Sequence, residues 1–137
     1  MIVLDASAAL ARVLPSQRTV ASHAFFNSDT LPHFIAPTIF AWEVRHALLK
    51  AERGGRTSSD QVNDGVLVLD GLAKRISWDD STQSFARLVA LARAENLSLF
   101  DAAYLDLAIA ENAGLASRDV GLIEAAKRRR VKVVDLR

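Results

Sequence analysis

Short strand-like runs alternate with longer helical ones along the whole chain, and this alternation restricts the fold more than any other feature. Repeated strand–helix–strand units build a parallel sheet covered by helices on both faces. The runs predict strands near Met1 to Leu4, His33 to Ala36, Arg75 to Trp78, Gly114 to Ala116 and Lys132 to Val134. Helices are predicted from Ala6 to Val13, Thr19 to Asn27, Thr38 to Arg53, Ser59 to Leu72, Ser81 to Glu95, Leu99 to Asn112 and Val120 to Arg128. Pro37 suits a helix start, the Gly54 and Gly55 pair suits a helix end, and Gly114 suits a stop before a strand. No segment repeats at a fixed period or is low in complexity. The expected architecture is a three-layer α/β/α sandwich with a central, mainly parallel five-stranded sheet, formed by residues 1–137 as one domain.

The composition supports that reading and excludes several classes of function. Of 137 residues, 50% are hydrophobic and 24% charged, which is enough apolar material for one proper core. The absence of cysteine removes a disulfide framework, a thiolate zinc site and a cysteine nucleophile, and makes the cytoplasm the natural compartment. No apolar stretch approaches the roughly 18 residues of a spanning helix, and the start lacks a basic region followed by a cleavable apolar segment. A soluble, unprocessed protein with no membrane partner is expected. The net charge of +1 does not by itself announce nucleic-acid binding.

The placement of the acids says more. The opening MIVLD runs a hydrophobic strand into Asp5, and Ser7 follows within an alanine-rich helix. A carboxylate at the end of a buried parallel strand overlooks the crevice where open α/β sheets bind ligands. Glu43, Asp101 and Asp119 recur at comparable junctions. Several carboxylates converging there repel one another unless a cation joins them, so the pattern points to a metal held by oxygen.

Each acid also has a simpler explanation. Asp5 and Asp119 are placed to cap the helices that follow them, and Ser98 with Asp101 has the spacing of a capping box, with Asp in place of Glu or Gln. Glu43 resists this reading. At about 100° per residue, Phe40, Val44, Ala47, Leu48 and Ala51 share one apolar helix face, and Glu43 lies on its border between Ile39 and Ala47. A partly desolvated carboxylate there needs a basic side chain or a cation. In SLFDAAYLDLAIA, apolar around nearly its whole circumference, Asp101 sits at the helix mouth, where the helix dipole favours ionised carboxylates. Asp106, five residues on, points roughly 140° away and is left out of the site.

Taken together, these residues resemble the PIN-domain nucleases, and within them the VapC-like toxins of bacterial toxin–antitoxin pairs. The resemblance runs from Asp5-Ala-Ser-Ala, through Trp42-Glu43-Val44 and His46-Ala47-Leu48, to Phe100-Asp101-Ala102-Ala103-Tyr104-Leu105 and Leu115-Ala116-Ser117-Arg118-Asp119. It implies a PIN-like fold and an acidic quartet, Asp5, Glu43, Asp101 and Asp119, holding Mg²⁺ or Mn²⁺. It also implies supporting hydrogen bonds from Ser7 and Ser117, a cognate antitoxin protein and self-association as a homodimer. Ser117 stands where Thr is common, keeping the hydroxyl, and Asp106 stands where a small residue is common.

The expected activity is hydrolysis of single-stranded or loop RNA, leaving a 5′-phosphate and a 3′-hydroxyl, with the cation activating water and polarising the phosphoryl group. Bases should surround the acids to hold phosphates. Arg118, beside Asp119, is the candidate for substrate contact, whereas Lys127 to Arg130 suits a solvated helix end and Arg45, Lys50, Arg53 and Arg56 are undecided. Trp42 and Leu49, away from the apolar face of their helix, mark a small contact strip or ordinary surface. Rival readings fit less well. His23, His33 and His46 share no common mouth for metal-free acid–base catalysis. A receiver-like phospho-acceptor domain would want paired acids after the first strand, and a haloacid-type phosphatase an acid at Ser7. A catalytically inactive PIN-like protein-binding module would have less use for all four acids.

Overall fold

The structure is a computed structural model and describes residues 1–81 and 84–137. Five strands, β1 (Ile2–Leu4), β2 (Phe34–Pro37), β3 (Ile76–Asp79), β4 (Gly114–Ser117) and β5 (Val133–Asp135), form one sheet in the order β3-β2-β1-β4-β5. Every pairing is parallel, with Val3 opposite both Ile35 and Leu115. The expectation of a mainly parallel sheet therefore becomes a wholly parallel one. β1 and the two strands beside it supply buried apolar residues to the centre, among them Val3, Leu4, Phe34, Ala36, Leu115 and Ala116. Unbroken apolar runs of this kind suit a sheet covered on both faces.

Seven α-helices cover the sheet among the described residues: α1 (Ala6–Val13), α2 (Val20–Phe26), α3 (Ile39–Arg53), α4 (Ser59–Ala73), α5 (Phe85–Glu95), α6 (Leu99–Ala110) and α7 (Val120–Arg128). The first four pack on one another through α1, and α5, α6 and α7 pack together through α6. Right-handed crossovers explain the division: the chain steps from β1 towards β3 with helices on one face, then back across to β5 with helices on the other. Alanines 6, 8, 9 and 11 on the buried side of α1 let it lie close to its neighbours, and Gly65 gives α4 the same closeness, since a Cβ there would meet Val13 at 3.3 Å. A 3-10 turn over Pro15–Gln17 was not anticipated.

The element ends show which local signals govern the chain. Thr19 and Ser58 cap α2 and α4 through capping boxes with Ser22 and Gln61. Gly55 takes φ +71° just past α3, a conformation natural to glycine. Gly114 opens β4 as expected but does not itself make the helix stop: α6 ends at Ala110 and Asn112 carries the left-handed turn at φ 48°. Pro37 ends β2 rather than opening α3. The predicted start of the fifth helix at Ser81 runs through residues 82 and 83, which lie outside the described residues; α5 is described from Phe85, with Ser84 as its cap. The ends of α6 are also less enclosed than its composition suggests, with Leu99 and Phe100 about half exposed. No helix among the described residues is long and apolar enough to cross a membrane.

Candidate active site

The carboxyl edge of the sheet at the β1–β4 junction is the place where the chain reverses its direction of travel across the sheet. Crevices at such points collect ligands in open α/β folds. Asp5 follows β1 directly, Asp119 follows β4 by two residues, Glu43 lies in the second turn of α3 after β2, and Asp101 lies in the first turn of α6.

Asp5 does not cap its helix with its side chain. Its backbone carbonyl accepts from Ala8 (3.1 Å) and Ala9 (3.2 Å), while the carboxylate makes no cap hydrogen bond. It is instead 4% exposed and accepts from the hydroxyls of Ser7 and Ser117, the latter at 2.6 Å. Ser7 Oγ in turn accepts the Arg118 amide at 2.9 Å, and Ser117 Oγ accepts the Asp119 amide at 2.9 Å. The two serines thus tie the end of β1 to the end of β4 and orient Asp5. Burial raises the Asp5 pKa, the hydroxyls of Ser117 and Ser7 draw it down, and the charge of Asp119 adds to the rise.

At the mouth of α6, Ser98 accepts the Asp101 amide at 3.1 Å, but no reciprocal bond completes a capping box. The Asp101 carboxylate is therefore not consumed by the cap. Its pKa is raised from 3.8 to about 6 by burial, then by the charges of Asp5 and Asp119. Asp119 caps α7, accepting the Leu122 amide at 2.7 Å through Oδ1. Gly121 leaves room for that arrangement, because a Cβ there would meet Asp119 Oδ1 at 3.3 Å.

Glu43 has a partner that the sequence analysis did not name. The buried Tyr104 hydroxyl donates a hydrogen bond to Glu43 Oε2, so a phenol stands where a base or cation was expected. Burial and the charges of Asp5 and Asp101 raise the Glu43 pKa against the lowering effect of Tyr104. A signal was present: Tyr104 lies three residues after Asp101, on the same helix side, in an otherwise apolar run.

Asp101 thus feels the charge of Asp5, Glu43 feels both, and Asp119 acts on Asp5 and Asp101. None of the four is in an ion pair among the described residues. Nor, among those residues, do three acids stand close enough together to grip one ion by themselves. The donor set still fits a hard divalent cation, because Mg²⁺ keeps several waters and takes only one or two protein carboxylates directly. Hydrogen bonds engage one oxygen each of Asp5, Glu43 and Asp119.

The remaining candidates divide. Asp106 turns away to Arg87 on α5 at 2.8 Å, which explains an acid in the apolar helix. The Arg118 side chain reaches Gln17 at 3.4 Å and leaves its buried Nε without a hydrogen-bond partner. Lys127 pairs with Glu124 and Arg128 and Arg129 with Glu95, the solvated helix end that was expected. Trp42 is 69% exposed and Leu49 lies at the surface. His33 bonds Ser77 at 2.8 Å at the outer strands, whereas His46 lines a shallow pocket with Glu43.

A parallel α/β/α sandwich with an acid cluster at its switch point defines a class of fold and site. The profile of the PIN domain matches residues 2–128, and the chain belongs to the PIN domain family, a family of nucleases. Among solved structures, the protein is similar in fold to PAE2754 from Pyrobaculum aerophilum, with a TM-score of 0.70 and 19% identity over 97% of this chain and 90% of that one. It is also similar to FitAcB from Neisseria gonorrhoeae, with a TM-score of 0.63 and 20% identity over 97% of this chain and 96% of that one. No curated protein matches it in sequence.

Proposed function

We propose that the chain is a Mg²⁺- or Mn²⁺-dependent endoribonuclease that hydrolyses RNA phosphodiester bonds and serves as the toxin of a toxin–antitoxin pair. One observation carries the reading: four carboxylates from four separate segments interact through their charges at one sheet edge, with no basic side chain paired to any of them among the described residues. Such an arrangement is costly on its own and is relieved by a divalent cation.

Asp5 and Asp101 are the direct holders of the cation in this reading, and Glu43 and Asp119 complete the acidic shell. When bound, Mg²⁺ or Mn²⁺ supplies Lewis-acid polarisation of the phosphoryl group and lowers the pKa of water. Ser7 and Ser117 hold the Asp5 carboxylate in one orientation and favour its charged form. Tyr104 does the same for Glu43, which in this reading orients the attacking water and accepts its proton. The guanidinium of Arg118, unpaired with any carboxylate among the described residues, is assigned to substrate phosphate. The order of the VapC-like motifs supports a cognate antitoxin protein as partner, a homodimer as the working assembly, and residues 1–137 as one nuclease domain.

The test is incubation of purified protein with total RNA in Mn²⁺ and in excess chelator, with Asp101→Asn as control and product ends mapped. Cleavage with Mn²⁺ alone, leaving 5′-phosphate and 3′-hydroxyl ends and lost in Asp101→Asn, is expected. Equal cleavage in chelator, or cyclic phosphate ends, overturns the reading.

A further inference from the structure

Next to the acids lies a shallow pocket lined by Ile39, Trp42, Glu43, His46 and Phe100. Its two aromatic residues are unusually open for their size, Trp42 at 69% and Phe100 at 53% exposure. Each is the chain neighbour of a site acid, Trp42 of Glu43 and Phe100 of Asp101, and Glu43 itself forms part of the wall. The Arg45 guanidinium lies 5.8 Å from the Trp42 ring centroid. Two features of one partner are therefore matched at once: flat apolar area for a ring, and a cation over the Trp42 ring for a negative group.

We infer that this pocket receives an unpaired nucleobase of the RNA substrate, stacked on Trp42 and Phe100, beside the linkage that is cut. The inference rests on the nuclease reading given above and adds to it a site for one base of the substrate beside the acids. An apolar peptide side chain would use the apolar area but leave Arg45 unmatched, whereas a single nucleotide brings an aromatic face and a phosphate together. Base–aromatic stacking depends little on sequence because every base offers a π-face, and Arg strengthens such a platform. A paired base keeps its faces within the duplex and cannot enter. The pocket thus selects single-stranded or looped RNA, and Trp42 and Phe100 are binding residues rather than part of the acid machinery.

The experiment uses the otherwise native protein in Mn²⁺ with a fluorescein-labelled single-stranded RNA cut at one mapped linkage. An abasic nucleotide is moved through about four positions on either side of the cut, and kcat/KM is measured for native, Trp42→Ala, Trp42→Phe and Phe100→Ala proteins. Removal of one stacking partner should lower kcat/KM of the native protein by about 5- to 150-fold at one abasic position. In Trp42→Ala or Phe100→Ala the same abasic position should cost clearly less than in the native protein, because part of the stack is already lost. Trp42→Phe should recover most of the native rate. Equal abasic penalties in native and alanine proteins overturn the pocket while leaving the nuclease reading intact. So does equal cleavage of the same RNA within a duplex, or a change of sedimentation coefficient in Trp42→Ala, which assigns the surface to a second copy of the chain. A native protein that cuts no RNA in Mn²⁺ overturns the nuclease reading itself, and this inference with it.

Discussion

The Tyr104 hydroxyl donates to Glu43 at the carboxyl edge of the sheet, so a fully buried phenol from α6 on one face fixes a half-buried carboxylate from α3 on the other. Phenol and carboxylate both lose hydration there, and each satisfies the other. Tyr104→Phe should cost about 1 kcal/mol of stability, read from the urea midpoint. It also removes the influence that lowers the Glu43 pKa, so the acid limb of the pH–rate profile should move to higher pH. An unshifted profile would mean that Glu43 does not govern the rate.

Asp5→Asn separates function from stability. Asparagine keeps the shape and still accepts from the serine hydroxyls, but removes a buried charge facing other acids. Cleavage should fall by at least about 100-fold, in line with the loss of a group that acts on the reacting centre. Thermal stability in chelator should rise by about 4 °C, the shift expected for about 1 kcal/mol. Calorimetry in chelator checks this, and a lower melting temperature would refute it.

The pH dependence of the metal-free protein follows from Asp101. Its folded-state pKa, raised from 3.8 to about 6, exceeds the unfolded value, so the folded chain binds more protons between about pH 4 and 6. Stability should therefore fall as pH rises through that window, with Asp5 and Glu43 shifted in the same direction. Because Asp101 is partly open to solvent, the expected loss is only about 1 kcal/mol. Mn²⁺ should restore stability at pH 7 and have little effect at pH 5, where protonated carboxylates bind it poorly. Melting curves at the two pH values, with and without Mn²⁺, decide the point.

Ser117→Ala deletes a hydroxyl that is 0% exposed and serves both Asp5 and the Asp119 amide. The amide loses its acceptor and the Asp5 carboxylate loses a donor. A cost of about 1–3 kcal/mol is expected in chemical denaturation, together with weaker activation by Mn²⁺. Ser117→Thr should keep both bonds, provided that the extra methyl is accommodated.

Arg87→Ala tests the assignment of Asp106 as structural. It leaves the buried Asp106 carboxylate without its partner and should destabilise the chain by about 1–3 kcal/mol. Cleavage at a permissive temperature should stay within about 2-fold of native. A large loss of activity in folded Arg87→Ala would bring Asp106 back into the reaction.

Much of the fold could be read along the chain because its signals are local. Strand and helix positions followed from hydrophobic spacing, whereas the capping boxes at Thr19 and Ser58 emerged only with the structure. Misplacements arose where two signals coincide, as at Asn112 and Gly114, where either residue can end a helix. The acids were conspicuous because polar residues interrupted apolar runs at element ends, and the family resemblance supplied Ser7 and Ser117 as supporting residues, but the acid each serves and the Tyr104 partner of Glu43 were not legible. Ser117 lies 112 residues from Asp5, and Tyr104 lies 61 from Glu43. Arg87 likewise meets Asp106 only through the packing of α5 on α6.

The linear order of residues, by itself, determined the layers and the parallel sheet and marked four candidate acids, since each depends on periodicity or on a position beside an element end. Only the tertiary structure decided which carboxylates share a field, which is held by serine or tyrosine, and that Trp42 and Phe100 face the same opening. The reason is physical. Electrostatic coupling and desolvation depend on distance through space and on exclusion of water, and neither quantity exists until distant segments are packed together.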